Sequence, residues 1–191
     1  MKTIRIKNLR SILDTSDIEV KPITILVGKN NSGKSSFLRL FSLLRQSVES
    51  RTRSPLLWYG QYVDYGSFKD ALRKESDNGK ITLAFSFEIS QTDIESIIPR
   101  RYFRQRLDSI ANKTLMVEME LALGDKERTY VSHVKLGIDD SEIMIDIDRS
   151  NKVIRFIIGS PVNRSVNRHQ AANLSIPLFF CFITPSTNVF P

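Results

Sequence analysis

Apolar and polar residues alternate with a period of two along much of the chain. The clearest example runs from Ile81 to Ile89, where every second residue is a large apolar one. Alternation of this kind is typical of strands that bury one face. The pattern predicts strands over residues 3–8, 18–20, 81–89, 115–123, 129–138, 142–148 and 152–158, and a polar loop over 160–173.

A different pair of patterns lies between residues 23 and 50. Residues 23–27 read Ile-Thr-Ile-Leu-Val, and this continuous apolar run predicts a strand that is buried on both faces. The stretch that follows has the period of a helix that ends near Ser50. One face of that helix would carry Phe37, Leu40 or Phe41, Leu44 and Val48. A buried strand is therefore followed, after a short turn, by an amphipathic helix.

The turn between them reads Gly28-Lys29-Asn30-Asn31-Ser32-Gly33-Lys34-Ser35, which has the form G-x-x-x-x-G-K-S. Its glycines allow unusual backbone angles, and its N–H groups form a concave anion site at the open end of a helix. Lys34 would reach the β- and γ-phosphates and is the candidate catalytic residue, while the Ser35 hydroxyl would bind Mg²⁺. Strand, loop and helix together predict an α/β P-loop NTPase.

The chain of 191 residues is long enough for one domain with a core of its own. We expect residues 1–191 to form that single domain, with the nucleotide-binding core in residues 1–50. Residues 81–158 would add a helical insertion, over 92–98 and 102–111, to an antiparallel meander. The expected fold is thus a mixed sheet beside a smaller antiparallel β layer.

Composition and charge exclude few classes of protein. The formal net charge is +7, which permits a polyanionic partner without demonstrating one. Cys181 is the single cysteine, so no internal disulfide can form, and this fits a reducing compartment. The N-terminus has no apolar core of the signal-peptide type, and no apolar run is long enough to span a bilayer. We therefore expect a cytoplasmic protein with no membrane association.

Several residues invite other functional interpretations. Four arginines in the predicted insertion would suit contacts with nucleic acid, but a solvated basic face explains them as well. They are Arg100, Arg101, Arg104 and Arg106. Asp146 follows an apolar run as a metal-binding acid would, yet its alternation with Asp148 favours solvent-facing carboxylates. His133 and His169 lack neighbours at metal-ligand spacing.

Two stretches carry a family resemblance. They are Ile4 to Ile12 and Pro22 to Ser36, and together they resemble the SMC/RecF-like branch of ABC-type ATPases. The greatest similarity is to bacterial AAA-family ATPases related to the overcoming-lysogenization-defect nucleases. Residues 62–70 are similar to the segment that follows the first helix in those ATPases, where the chain would pass back near the nucleotide. The similarity covers about the first 70 residues.

The resemblance implies an ATP-driven head that dimerises around two ATP molecules and acts in DNA repair, chromosome maintenance or phage defence, often with a nuclease. It assigns phosphate binding to Gly28, Asn31, Gly33, Lys34, Ser35 and Ser36, within a cofactor-binding set that also includes Lys29, Asn30 and Ser32. Arg10 matches a basic residue that lies near the nucleotide in related heads. Gln61 is a weak candidate for the glutamine that senses Mg²⁺.

Other parts of the family pattern are missing from these 191 residues. No two glycines are adjacent, so the Ser-Gly-Gly turn of a signature segment is absent, and no apolar strand ends in Asp-Glu. We therefore expect the N-terminal lobe of a longer ATPase, which needs a C-terminal lobe or a second ATPase copy to hydrolyse ATP. The alternative is a nucleotide-gated interaction module that does not hydrolyse ATP and whose site a partner completes.

Overall fold

The computed structural model describes residues 1–50, 54–90, 113–138, 141–150, 152–160 and 163–166. The two helices predicted within the insertion lie outside these residues, as do the four arginines and His169. No helix in the described part is both long enough and apolar enough to cross a membrane.

Within these described ranges, nine strands form one sheet. Their bounds are β1 Thr3–Leu9, β2 Ile12–Asp14, β3 Ile18–Glu19, β4 Ile81–Ile89, β5 Lys113–Leu123, β6 Thr129–Ile138, β7 Ser141–Ile147, β8 Val153–Ser160 and β9 Asn163–Val166. The strands predicted from alternation are confirmed, and β4 and β6 have the predicted bounds. Strands β2 and β9 were not predicted, and β9 replaces part of the polar loop expected over 160–173.

The strand order is β2-β1-β4-β5-β6-β7-β8-β9, and β3 pairs with β1 beside β2. Every described pairing is antiparallel. The alternation in sequence explains the register, since Ile4 lies opposite Phe85 and Ile6 opposite Leu83 on the same face. The meander predicted over residues 81–158 is therefore continuous with the N-terminal strands in a single antiparallel layer.

Helix α1 (Lys34–Glu49) covers one face of this sheet. Its buried residues Phe37, Leu40 and Leu43 belong to the same core cluster as Ile6 and Leu83 of the sheet. The helix begins after Gly33, which has a left-handed backbone, and ends at Ser50, which is extended. A second, four-residue helix, α2 (Phe68–Ala71), has a capping box in which Ser67 and Asp70 bond to each other's backbone. The α/β fold class is confirmed. The mixed sheet expected beside a separate β layer is not found among the described strands, which form one antiparallel sheet.

The prediction of a buried strand over residues 23–27 is wrong for the described structure. Ile23, Ile25 and Val27 are 83%, 79% and 91% exposed. The segment makes no backbone hydrogen bonds within the part of the chain that the structure describes. Thr24 and Leu26, by contrast, line a groove against α1. A continuous apolar run indicates burial only where neighbouring strands cover it, and no described strand pairs with residues 23–27.

Candidate functional site

The phosphate loop lies at the N-terminal end of α1, as predicted. Its six residues from Gly28 to Gly33 precede the first helical residue, Lys34. Two of them have left-handed backbone angles, Asn31 with φ 65° and Gly33 with φ 96°. Such residues turn N–H groups to one side and form a concavity that binds anions. Lys29, Asn30, Asn31 and Ser32 are all exposed, so the loop is open to a ligand.

Gly33 is required for two physical reasons. Its positive φ is strained for any residue with a side chain. In addition, a Cβ atom here would lie 2.6 Å from Cγ1 of Ile12 and 3.3 Å from Oγ of Ser11. The loop therefore packs directly on the turn between β1 and β2. Gly28 differs from the prediction, because its φ is not positive. A Cβ there would instead lie 3.0 Å from the Ser32 hydroxyl oxygen.

Lys34 spans the loop with its side chain. Its ammonium donates to the carbonyl of Gly28 at 2.7 Å and to that of Lys29 at 2.6 Å. Both bonds hold the positive charge over the loop, at the end of α1 where the helix dipole also favours an anion. Ser35 is exposed in the first turn of the helix, where its hydroxyl can reach a cation bound to a phosphate chain.

Arg10 is linked to this helix through Tyr65. Its guanidinium carbon lies 4.9 Å from the centre of the Tyr65 ring, and Nη2 donates to the Tyr65 carbonyl at 3.2 Å. The Tyr65 hydroxyl in turn donates to the carbonyl of Ser36 at 2.7 Å. Burial raises the pKa of Tyr65 to about 12, so this hydroxyl keeps its proton at physiological pH. Tyr65 was not among the residues predicted for the site.

Gln46 holds the segment that carries Tyr65. Its buried amide donates to the carbonyls of Leu57 and Val63, at 2.6 and 3.1 Å. Its Oε1 accepts from the amides of Tyr62 and Val63, at 3.1 and 3.0 Å. The sequence contains no signal for this role, because Gln46 lies outside the apolar face predicted for the helix; in the structure its amide is buried, and buried amides need partners.

Gln61 lies beside this Gln46 contact and is exposed. Gln46 is about three helical turns, or ~18 Å, along α1 from Lys34. This placement argues against the weak assignment of Gln61 as a residue that senses Mg²⁺.

Asp146 does not approach the loop. Its carboxylate accepts a hydrogen bond from His133 Nδ1 at 2.6 Å, and β7 is four strand positions from β1. The strand spacing makes that separation about 19 Å. His133 is thus a histidine with a satisfied hydrogen bond, which agrees with its lack of neighbours at metal-ligand spacing. The described residues contain no group of three or more His, Cys, Asp or Glu that could hold a metal ion.

The family model of the AAA ATPase domain matches residues 1–172. The chain belongs to the AAA ATPase domain family. This match confirms the predicted membership, the P-loop NTPase fold and nucleotide binding as the function of the domain. It includes the phosphate loop, Arg10 and the segment around Tyr65, so the site described above lies within the matched AAA ATPase domain.

This chain also resembles a second protein over most of its length. An uncharacterized protein of Methanocaldococcus jannaschii is 27% identical over 163 residues, which are 82% of this chain and 70% of the relative. Its similarity extends far beyond the phosphate loop, so the AAA ATPase domain of this chain and that protein share more than a short motif.

Proposed function

We propose that this AAA ATPase domain binds Mg-ATP through residues 28–36, with Arg10 beside the phosphate chain. Lys34 contacts the β- and γ-phosphates, and the Ser35 hydroxyl is a ligand of the Mg²⁺ ion. In the complete protein the bound ATP is hydrolysed, and Lys34 stabilises the charge that develops on the transferred phosphoryl group.

The position of the Lys34 ammonium carries this proposal. Two loop carbonyls hold it directly over the phosphate loop. A phosphate oxygen can replace either carbonyl as its acceptor, because it adds the attraction of an opposite charge to the hydrogen bond. The left-handed residues Asn31 and Gly33 give the loop the backbone shape that suits an anion.

Titration calorimetry with ATP and Mg²⁺ tests the site. We expect Lys34→Ala to weaken ATP binding by about 10- to 100-fold, because the variant loses one hydrogen bond between charged groups. Lys74→Ala is the matched control, because Lys74 is exposed and its substitution also removes one positive charge. Full ATP affinity in Lys34→Ala, or an equal loss in both variants, would refute the assignment.

The biological role that we propose is an ATP-driven activity on DNA, in repair or in defence against phage. A second ATPase copy or a C-terminal lobe would supply the signature segment and the hydrolytic acids, and a nuclease could act with it. The net charge of +7 is compatible with a polyanionic partner. We expect the protein to bind duplex DNA with an affinity that falls steeply as the salt concentration rises, because phosphate contacts release counterions.

A second function is favoured by the exposed side chains of Ile23, Ile25 and Val27. They lie immediately before the phosphate loop, and an exposed apolar patch of this kind indicates a protein contact. ATP would then gate assembly with a partner, without hydrolysis. Steady-state phosphate release by the complete protein, with and without its partner, separates the two functions, because only the first predicts turnover.

A further inference from the structure

The turn between β1 and β2 touches the phosphate loop on one side and is held by the chain that follows Tyr65 on the other. Arg10 N–H donates to the Ala71 carbonyl at 2.7 Å, and Arg73 N–H donates to the Asn8 carbonyl at 2.9 Å. The backbone of Arg10 is left-handed, with φ 50°. These bonds fix where the Arg10 side chain begins, but they leave its direction undetermined.

Tyr65 determines that direction. Its ring and its carbonyl both contact the Arg10 guanidinium, while its hydroxyl bonds to Ser36, next to the proposed Mg²⁺ ligand Ser35. Tyr65 is 1% exposed and makes an edge-on contact with Trp58, so its ring has little freedom to move. Arg10 itself is exposed and keeps donors free for an anion.

We propose that Tyr65 is a positioning residue of the ATP site, which orients the Arg10 guanidinium relative to the first turn of α1. This inference rests on the proposed function, because it requires Arg10 to contact bound ATP. Tyr65 does not touch the nucleotide. It reduces the conformational freedom that Arg10 would otherwise lose when ATP binds, and such preorganisation strengthens binding.

A double-mutant cycle on ATP affinity tests this role. Tyr65→Phe removes the hydroxyl bond to Ser36 and keeps the ring, so the fold should survive. We expect it to weaken ATP binding several-fold, up to about tenfold, which is the scale of one hydrogen bond. Arg10→Ala should have at least as large an effect. In the Arg10→Ala background the added Tyr65→Phe change should have almost none.

Tyr62→Phe is the matched control. The Tyr62 hydroxyl donates to Glu49 at the far end of α1, so its loss should leave ATP affinity unchanged. Thermal unfolding without nucleotide, measured for every variant, distinguishes a loss of stability from a loss of positioning. Tyr65→Leu, which also removes the ring, should weaken binding more than Tyr65→Phe if it folds.

The possible results separate this inference from the proposed function. If the wild-type chain fails to bind ATP, or Lys34→Ala binds normally, the proposed function is wrong. If wild type binds but Tyr65→Phe changes only the unfolding temperature, the positioning role alone is wrong. It is also wrong if the effects of Tyr65→Phe and Arg10→Ala multiply, since Tyr65 would then act independently of Arg10.

Discussion

Replacing Gln46 by leucine should destabilise the protein by removing four hydrogen bonds at once. The side chain is 2% exposed and bonds to Leu57, Tyr62 and Val63. The two bonds to Val63 are fully buried. Without Gln46 the Val63 N–H has no partner, at about 1–3 kcal/mol, whereas the Val63 carbonyl keeps its bond from the Gly60 N–H and loses roughly 0.5–1 kcal/mol. The other two are partly buried, so water can replace Gln46 there at roughly 0.5–1 kcal/mol each.

Burial of the leucine offsets roughly 1 kcal/mol of this loss. The expected decrease in the free energy of unfolding is therefore about 3 kcal/mol, or about 6–12 °C in Tm for a chain of this size. Urea denaturation followed by fluorescence measures it well, because Trp58 is the single tryptophan and lies within the segment that Gln46 holds.

Gln61→Leu is the control, because Gln61 is an exposed glutamine in the same segment. Surface substitutions of this kind usually change stability by less than about 0.5 kcal/mol. A decrease below about 1 kcal/mol for Gln46→Leu would show that the 57–63 segment is held by its apolar contacts instead, and that the hydrogen bonds of Gln46 contribute little.

Two further predictions concern backbone strain and pH. Gly33→Ala should abolish most ATP binding and destabilise the fold by more than the ~1–2 kcal/mol of a left-handed alanine, because the new Cβ would clash with Ile12. Gly79→Ala, at φ 64° with open space around it, should lose only the free energy of that backbone strain. Equal unfolding temperatures for the two variants would contradict this. The hydrogen bonds from Arg5 lower the pKa of Asp14 to about 2, so their stabilisation is present above pH ~4 and is lost as the pH falls towards 2. Because the pair is on the surface, Asp14→Asn should lower the free energy of unfolding by less than about 1 kcal/mol at pH 7 and not at all near pH 2. Acid titrations of both proteins, followed by circular dichroism, would measure this.

The phosphate loop and the meander could be predicted because their signals are local. The loop motif is contiguous, and its residue types follow from the geometry of phosphate binding. Strands such as Ile81–Ile89 alternate over their whole length, so the period alone indicates the element and the buried face.

The arrangement around Tyr65 depends on contacts between residues far apart in sequence, and no local pattern reveals it. Tyr65 bonds to Ser36, 29 residues earlier, and contacts Arg10, which is 55 residues away. The exposure of residues 23–27 was missed for a related reason. Composition indicates which segments can be buried, whereas the presence of covering strands is a property of the whole fold.

The exposed segment before the loop also provides a kinetic measure of assembly. The amides of residues 24–27 have no backbone acceptors among the described residues, so their hydrogens should exchange with solvent deuterium at nearly the rate of an unstructured peptide. The amides of β1, by contrast, lie between two strands and should exchange many orders of magnitude more slowly. Any strand that pairs with residues 24–27 would slow their exchange, so lower deuterium uptake by this one peptide after ATP is added would indicate that ATP gates assembly.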